Sequence, residues 1–123
     1  TKRMPQEGWA WYMLAYAMAK TDRPREATVV IERAMMVAEE NADLWNNIGE
    51  VHHLLGNEVE ALKSYQKACK IQPNYVHARL GMARCFLLKG EKENARDACD
   101  YYLEHAADEE LKAEVANWRK LCE

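Results

Sequence analysis

The stretch LWNNIGEVHHLLGNEVEALKSYQKACKIQPN, residues 44–74, decides how the whole chain is read. In its first half Trp45, Ile48, Gly49 and His52 fall on one helical face, and in its second half Ala61, Leu62, Tyr65 and Ala68 do the same. Gly56 lies between the two patterns, where a turn is expected, and Pro73 lies just past the second, where a helix can no longer continue. The stretch therefore reads as two short helices. Alternation of apolar and polar residues never runs beyond about four positions, so no strand competes.

The pattern repeats outward at a step of 34 residues. Trp11 and Trp45 are separated by it, as are Ala27, Ala61 and Ala95, then Ala15, Gly49 and Ala83, and then Ile31, Tyr65 and Cys99. Gly56 and Gly90 hold the same place in successive turns. Small residues at two fixed registers allow helix backbones to approach closely, while Trp45 and Tyr65 fill the wider gaps beside them. Pro24 suits the first turn of a helix, and Asn74 and Asp108 are expected N-caps for the helices that follow them.

Trp45, Ile48, Gly49, Ala61, Tyr65, Ala68 and Pro73 resemble the tetratricopeptide repeat signature, a 34-residue helix-turn-helix unit, with His52 standing where that family usually has tyrosine. The resemblance implies an all-α fold: an α-solenoid of three such repeats, residues 8–41, 42–75 and 76–109, wound as a right-handed superhelix. Residues 1–7 are expected to be the remnant of a preceding repeat or a linker, because Pro5 stands 34 residues before Glu39 and 68 before Pro73, at the closing position of a unit. Residues 110–123, with Leu111, Val115, Trp118 and Cys122 at helical spacing, are expected to form a capping helix over the open end of the stack.

Composition narrows the function classes. The chain has 123 residues, 49% hydrophobic and 30% charged, which suits one folded unit with a modest core. Its 17 basic and 20 acidic residues are interspersed and leave a net charge of −3, so neither nucleic acid nor an anionic membrane is an expected partner. No apolar run approaches the roughly 18 residues that membrane insertion requires, and a cytoplasmic location is expected. Cys69, Cys85, Cys99 and Cys122 form no CxxC pair and read as reduced, buried thiols.

Catalytic and metal readings find little to stand on. His52 and His53 are adjacent, about 100° apart on a helix, so they cannot readily share one ion, and neither they nor His77 and His105 belong to a HExxH or CxxC pattern. His52 reads as a packed core residue and His53 as inner surface. The five glycines form no phosphate-cradling array, and no Cys/His pair has an oxyanion-forming turn beside it. No catalysis, cofactor or metal is expected.

What the resemblance implies instead is a non-catalytic protein-interaction module. Members of the family hold a peptide or helix of another protein in a concave groove lined by the first helix of each repeat. Carried onto this chain, the groove positions are Trp9, Tyr12 and Tyr16, then Asp43, Asn46, Asn47, Glu50 and His53, then His77 and Arg84. The groove is aromatic at one end and polar with mixed charge at the other, which suits a partner with apolar or aromatic anchors and a basic residue near Asp43 and Glu50. Asn47 matches an asparagine with which the peroxisomal import receptor and O-linked N-acetylglucosamine transferase hold peptide backbone, but Gly81 stands at that register in the next unit. The carboxylate clamp that grips heat-shock chaperone tails needs two lysines, two asparagines and an arginine. Tyr12, Tyr16, Asn47, His77 and Gly81 occupy those places, so such tails are not the expected ligand. The alternative is that Trp9, Tyr12 and Tyr16 are core beneath an upstream repeat, and that the segment serves self-association or assembly of a longer array.

Overall fold

The computed structural model describes residues 6–38 and 41–122, leaving Pro5 and Glu39 outside the described residues. Among the described residues seven α-helices follow one another: α1 (Gln6–Lys20), α2 (Pro24–Val37), α3 (Ala42–Leu54), α4 (Glu58–Ile71), α5 (Val76–Lys89), α6 (Lys92–His105) and α7 (Glu109–Leu121). No strand occurs among the described residues. The first six helices pair as three hairpins, and α7 packs on α6 at the end of the stack. α1, α3 and α5 also touch in succession, whereas α2, α4 and α6 have no comparable packing on one another. The array therefore curves with the first helix of each hairpin on the inside, an α-solenoid.

Local chemistry sets the helix ends. Gly56 and Gly90 adopt φ of 76° and 79°, the left-handed conformation that closes a helix, and the next amide in each case reaches back to the carbonyl of His52 or Phe86. Asp22 holds the same register in the first hairpin with φ of 62°, and the Arg23 amide bonds the Met18 carbonyl in the same way. Pro24 opens α2 in its first turn. The Asp108 carboxylate caps α7 by accepting the Leu111 amide at 3.1 Å, as expected. Asn74 does not cap α5. That position falls to Tyr75, whose amide is held by the Gln72 carbonyl, so the helix starts one residue later; the cap missed in the sequence is Asn41, which accepts the Leu44 amide.

The core is a continuous seam of small and large residues. Ala15, Gly49 and Ala83 are buried, as are Ala27, Ala61 and Ala95. Between them the Tyr65 ring is fully enclosed by close approaches from two hairpins: a Cβ on Gly49 would lie 2.7 Å from its Cε1, and one on Gly81 would overlap the ring outright. His52 is buried as expected, and both its ring nitrogens are without a hydrogen-bond partner. Burial is less even in α7: Val115 and Cys122 are buried, whereas Leu111 and Trp118 are half-buried because nothing packs on the far side of that helix among the described residues.

Candidate functional site

The inner helices carry all ten of the expected groove residues, and they sort into three groups. The first is an aromatic row along α1. Trp9 meets Tyr12 edge-on with ring centroids 5.9 Å apart, Tyr12 lies 6.1 Å from Tyr16, and the Lys20 ammonium sits over the Tyr16 ring. Spacings of three and four residues put these rings on one helical face. Trp9 and Tyr12 are half-buried and Tyr16 is exposed, so the row is neither wholly core nor wholly surface. Burial raises the Tyr12 phenol pKa above its ordinary value, with smaller contributions from Tyr16 and the Glu50 charge.

The second group is a polar knot between α3, α4 and α5. The Tyr65 hydroxyl donates to Glu50 at 2.7 Å, and Arg84 Nη2 donates both to Glu50 at 3.1 Å and to the Tyr65 oxygen at 2.7 Å. Burial, reinforced by the Glu50 carboxylate, drives the Tyr65 pKa strongly upward, so the hydroxyl remains a donor at any ordinary pH. Glu50 and Arg84 occupy the same register in adjacent repeats with opposite charge, a signal that was present in the sequence. Beyond the packing role that its register implies, Tyr65 reaches through the seam, which requires the glycine at position 81 and leaves no room there for an asparagine.

The third group lies along the edges. Asp43 accepts a short hydrogen bond from the Tyr75 hydroxyl, and Tyr75 in turn meets the exposed His77 ring edge-on at 5.9 Å. His53 is bonded through Nδ1 to Glu58 at 2.7 Å, and the other Glu58 oxygen accepts the Cys85 thiol at 3.3 Å. Asn46 and Asn47 are half-buried, and the Asn46 Oδ1 atom is enclosed without a partner. Asp43 and Glu50 are both engaged within the chain. Glu50 is paired with Arg84 and accepts the Tyr65 hydroxyl, whereas Asp43 is exposed and accepts from the Tyr75 hydroxyl, which brings no opposite charge.

The chemistry available here is recognition. Cys85 is fully buried and its thiol is pushed up to about 12, first by burial and then by its bond to Glu58, the reverse of what a nucleophile needs. A carboxylate, rather than the histidine, accepts its hydrogen bond. Burial, with a smaller contribution from the nearby Cys122, raises the Cys99 thiol to about 11, and the Cys122 thiol donates to the Trp118 carbonyl. Cys69 is half-buried rather than buried. Among the described residues no cluster of three His, Cys, Asp or Glu side chains is arranged to hold a metal, and no helix is long and apolar enough to cross a membrane.

Comparison with known proteins bears on both fold and family. The tetratricopeptide repeat profile matches residues 42–75. Anaphase-promoting complex subunit 7 of Arabidopsis thaliana is 26% identical over 104 residues, covering 84% of this chain, and a tetratricopeptide-repeat-containing protein of Methanocaldococcus jannaschii is 33% identical over 63 residues, covering 51%. The chain spans 19% of the length of each of these relatives. Among solved structures, the type III secretion translocator chaperone SycD of Yersinia enterocolitica superposes with a TM-score of 0.82 at 18% identity, over 98% of this chain and 86% of that one. SycD in complex with a peptide of the translocator YopD gives 0.78 at 19% identity, over 92% and 89%. The first repeat domain of Spaghetti (RPAP3), bound to the HSP90 peptide SRMEEVD, gives 0.78 at 16% identity, over 97% and 98%. At these identities the superpositions establish the solenoid fold.

Proposed function

This chain is a tetratricopeptide repeat protein, and from that premise we propose that it holds a peptide or helical segment of another protein against the face formed by α1, α3 and α5. The observation that carries the reading is the half-open aromatic row Trp9, Tyr12 and Tyr16 beside the fixed Glu50–Arg84–Tyr65 knot. Aromatic rings offer much contact area for few frozen torsions, and a pre-bonded polar knot offers recognition without further ordering. SycD and Spaghetti, which share the fold, are both described with bound peptides, which supports a peptide as the ligand class.

The knot also refines what the ligand presents. With Glu50 paired to Arg84, selection rests on an apolar or aromatic anchor for the α1 row, on a basic residue near the exposed Asp43 and on hydrogen bonds to the half-buried Asn47. Heat-shock tails remain outside the proposal, since Tyr12, Tyr16, His77 and Gly81 replace the cations and one asparagine of the clamp. No nucleic acid, membrane insertion, cofactor or catalysis belongs to it. A reducing setting such as the cytoplasm suits four free thiols.

The test is a peptide selected from a random display library against the intact chain. Its affinity is then measured by fluorescence anisotropy for the chain and for the Tyr12→Ala/Tyr16→Ala variant. A loss of about tenfold or more, with helical circular dichroism unchanged, is expected. Equal binding by the variant would place the peptide elsewhere and end the groove reading. Arg84 is a poor probe here, because it is bonded into the fold itself.

A further inference from the structure

In the first two hairpins one register of the inner helix holds tryptophan, Trp11 and Trp45, and one register of the outer helix holds a cation, Arg33 and Lys67. Trp45 is buried, and the exposed Lys67 places its ammonium 4.9 Å from the indole centroid. The third hairpin exchanges the two. Arg79 stands on α5 at the tryptophan register, Tyr101 stands on α6 at the cation register, and the guanidinium lies 4.4 Å over the tyrosine ring. The pairing survives, but its charge has moved from an exposed side chain to a half-buried one.

The exchange fixes the cation and leaves it unpaired. Tyr101 is itself held, since its hydroxyl donates to the Pro73 carbonyl at 3.1 Å and the His105 ring packs against it with centroids 4.3 Å apart. Arg79 Nε is enclosed without a hydrogen-bond partner, and no carboxylate among the described residues pairs with the guanidinium. Beside it opens a cavity of about 360 Å³ between α5 and α6. Buried Met82, Phe86 and Ala98 form its floor, and exposed Asn94 and Asp97 form its rim. None of the ten groove residues lines it.

We propose that this cavity binds a small organic monocarboxylate with an aromatic or branched aliphatic body. A guanidinium held flat against a ring offers its N–H groups in one plane, the arrangement that a carboxylate matches with two parallel bonds. The apolar floor receives the body of the ligand. Asp97 at the rim repels a second negative charge, which sets a monocarboxylate apart from a phosphate ester. The volume falls within the range of about 300–1,000 Å³ that small-molecule sites occupy. This site stands apart from the face that holds a peptide and does not depend on it.

The probe is hydrocinnamate, titrated into the intact chain with labelled methionine methyl groups and followed by NMR. Hydrocinnamamide, of the same shape without the charge, is the control. Saturable shifts of the Met82 methyl are expected, with Met13 and Met36 of the first hairpin unmoved, and the acid should bind about tenfold more tightly than the amide. Arg79→Gln should remove that preference. Asp97→Asn, a change at an exposed position, should strengthen binding of the acid, and Tyr12→Ala/Tyr16→Ala should leave it as it was. Equal binding of acid and amide, a Met82 shift that does not saturate, or tighter binding of phenyl phosphate than of the acid overturns the proposal. So does an Asp97→Asn variant that binds the acid more weakly.

Discussion

His52 is a histidine with no hydrogen-bond partner in a place where the next repeat has Phe86, so its ring is held in the core at a cost. Burial keeps its pKa below the ordinary 6.5, against a weaker upward pull from Glu60 and Glu32. The unfolded chain therefore takes up a proton more readily than the native one. The stability that the neutral ring contributes is complete above about pH 6.5 and is lost as the pH falls below that value toward the folded pKa. Replacing His52 with phenylalanine should raise stability by about 1–3 kcal/mol and flatten the loss between neutral pH and pH 5, as measured by urea denaturation at both. An unchanged slope in the variant would show that other groups carry it. Gly81 presents the converse case, in which space is occupied rather than polarity unsatisfied. Gly81→Ala should cost about 1–3 kcal/mol in the native chain and much less in a Tyr65→Ile background, a coupling that a double-mutant cycle reads directly.

At the scale of elements, the turns differ more than the helices do. Two of the three hairpin turns use glycine at positive φ, but the first uses Asp22, an L residue held in a conformation that costs roughly 1–2 kcal/mol. Asp22→Gly should therefore stabilise the protein by about 0.5–1 kcal/mol, after allowing for the freer unfolded chain, and its thermal midpoint is the measurement. The helices, their order and the buried small residues were legible in the sequence because a 34-residue period repeats every packing requirement three times. What was not legible depends on single reaches between repeats. Tyr65 looked like a filler of the seam, yet its hydroxyl emerges on the far side to meet Glu50 and Arg84. Asn41 caps α3, whereas Asn74 leaves the N-cap position of α5 to Tyr75, whose hydroxyl bonds Asp43. Of the candidate site, the positions were readable and their prior engagements were not, because a register shows which residues adjoin but not which will pair.

For the molecule as a whole, stability is the sum of hairpins and the junctions between them. The two inner junctions are made differently. Between the second and third hairpins, Tyr65, Glu50 and Arg84 are joined, and Glu58 holds Cys85. Between the first and second, buried Ile31, Ala34, Leu44 and Ile48 supply apolar packing. Amide hydrogen exchange should therefore find α3 to α6 protected as one block, with α1 and α2 opening at lower free energy. Uniform protection across all six helices would contradict that division. The mechanical result is a clasp with one stiff jaw and one compliant jaw. Directional bonds resist sliding at the Tyr65 junction, while apolar contact tolerates it at the other. On the proposed reading, the first hairpin is then the side that yields to a bound segment, and the second and third hairpins are the side that does not.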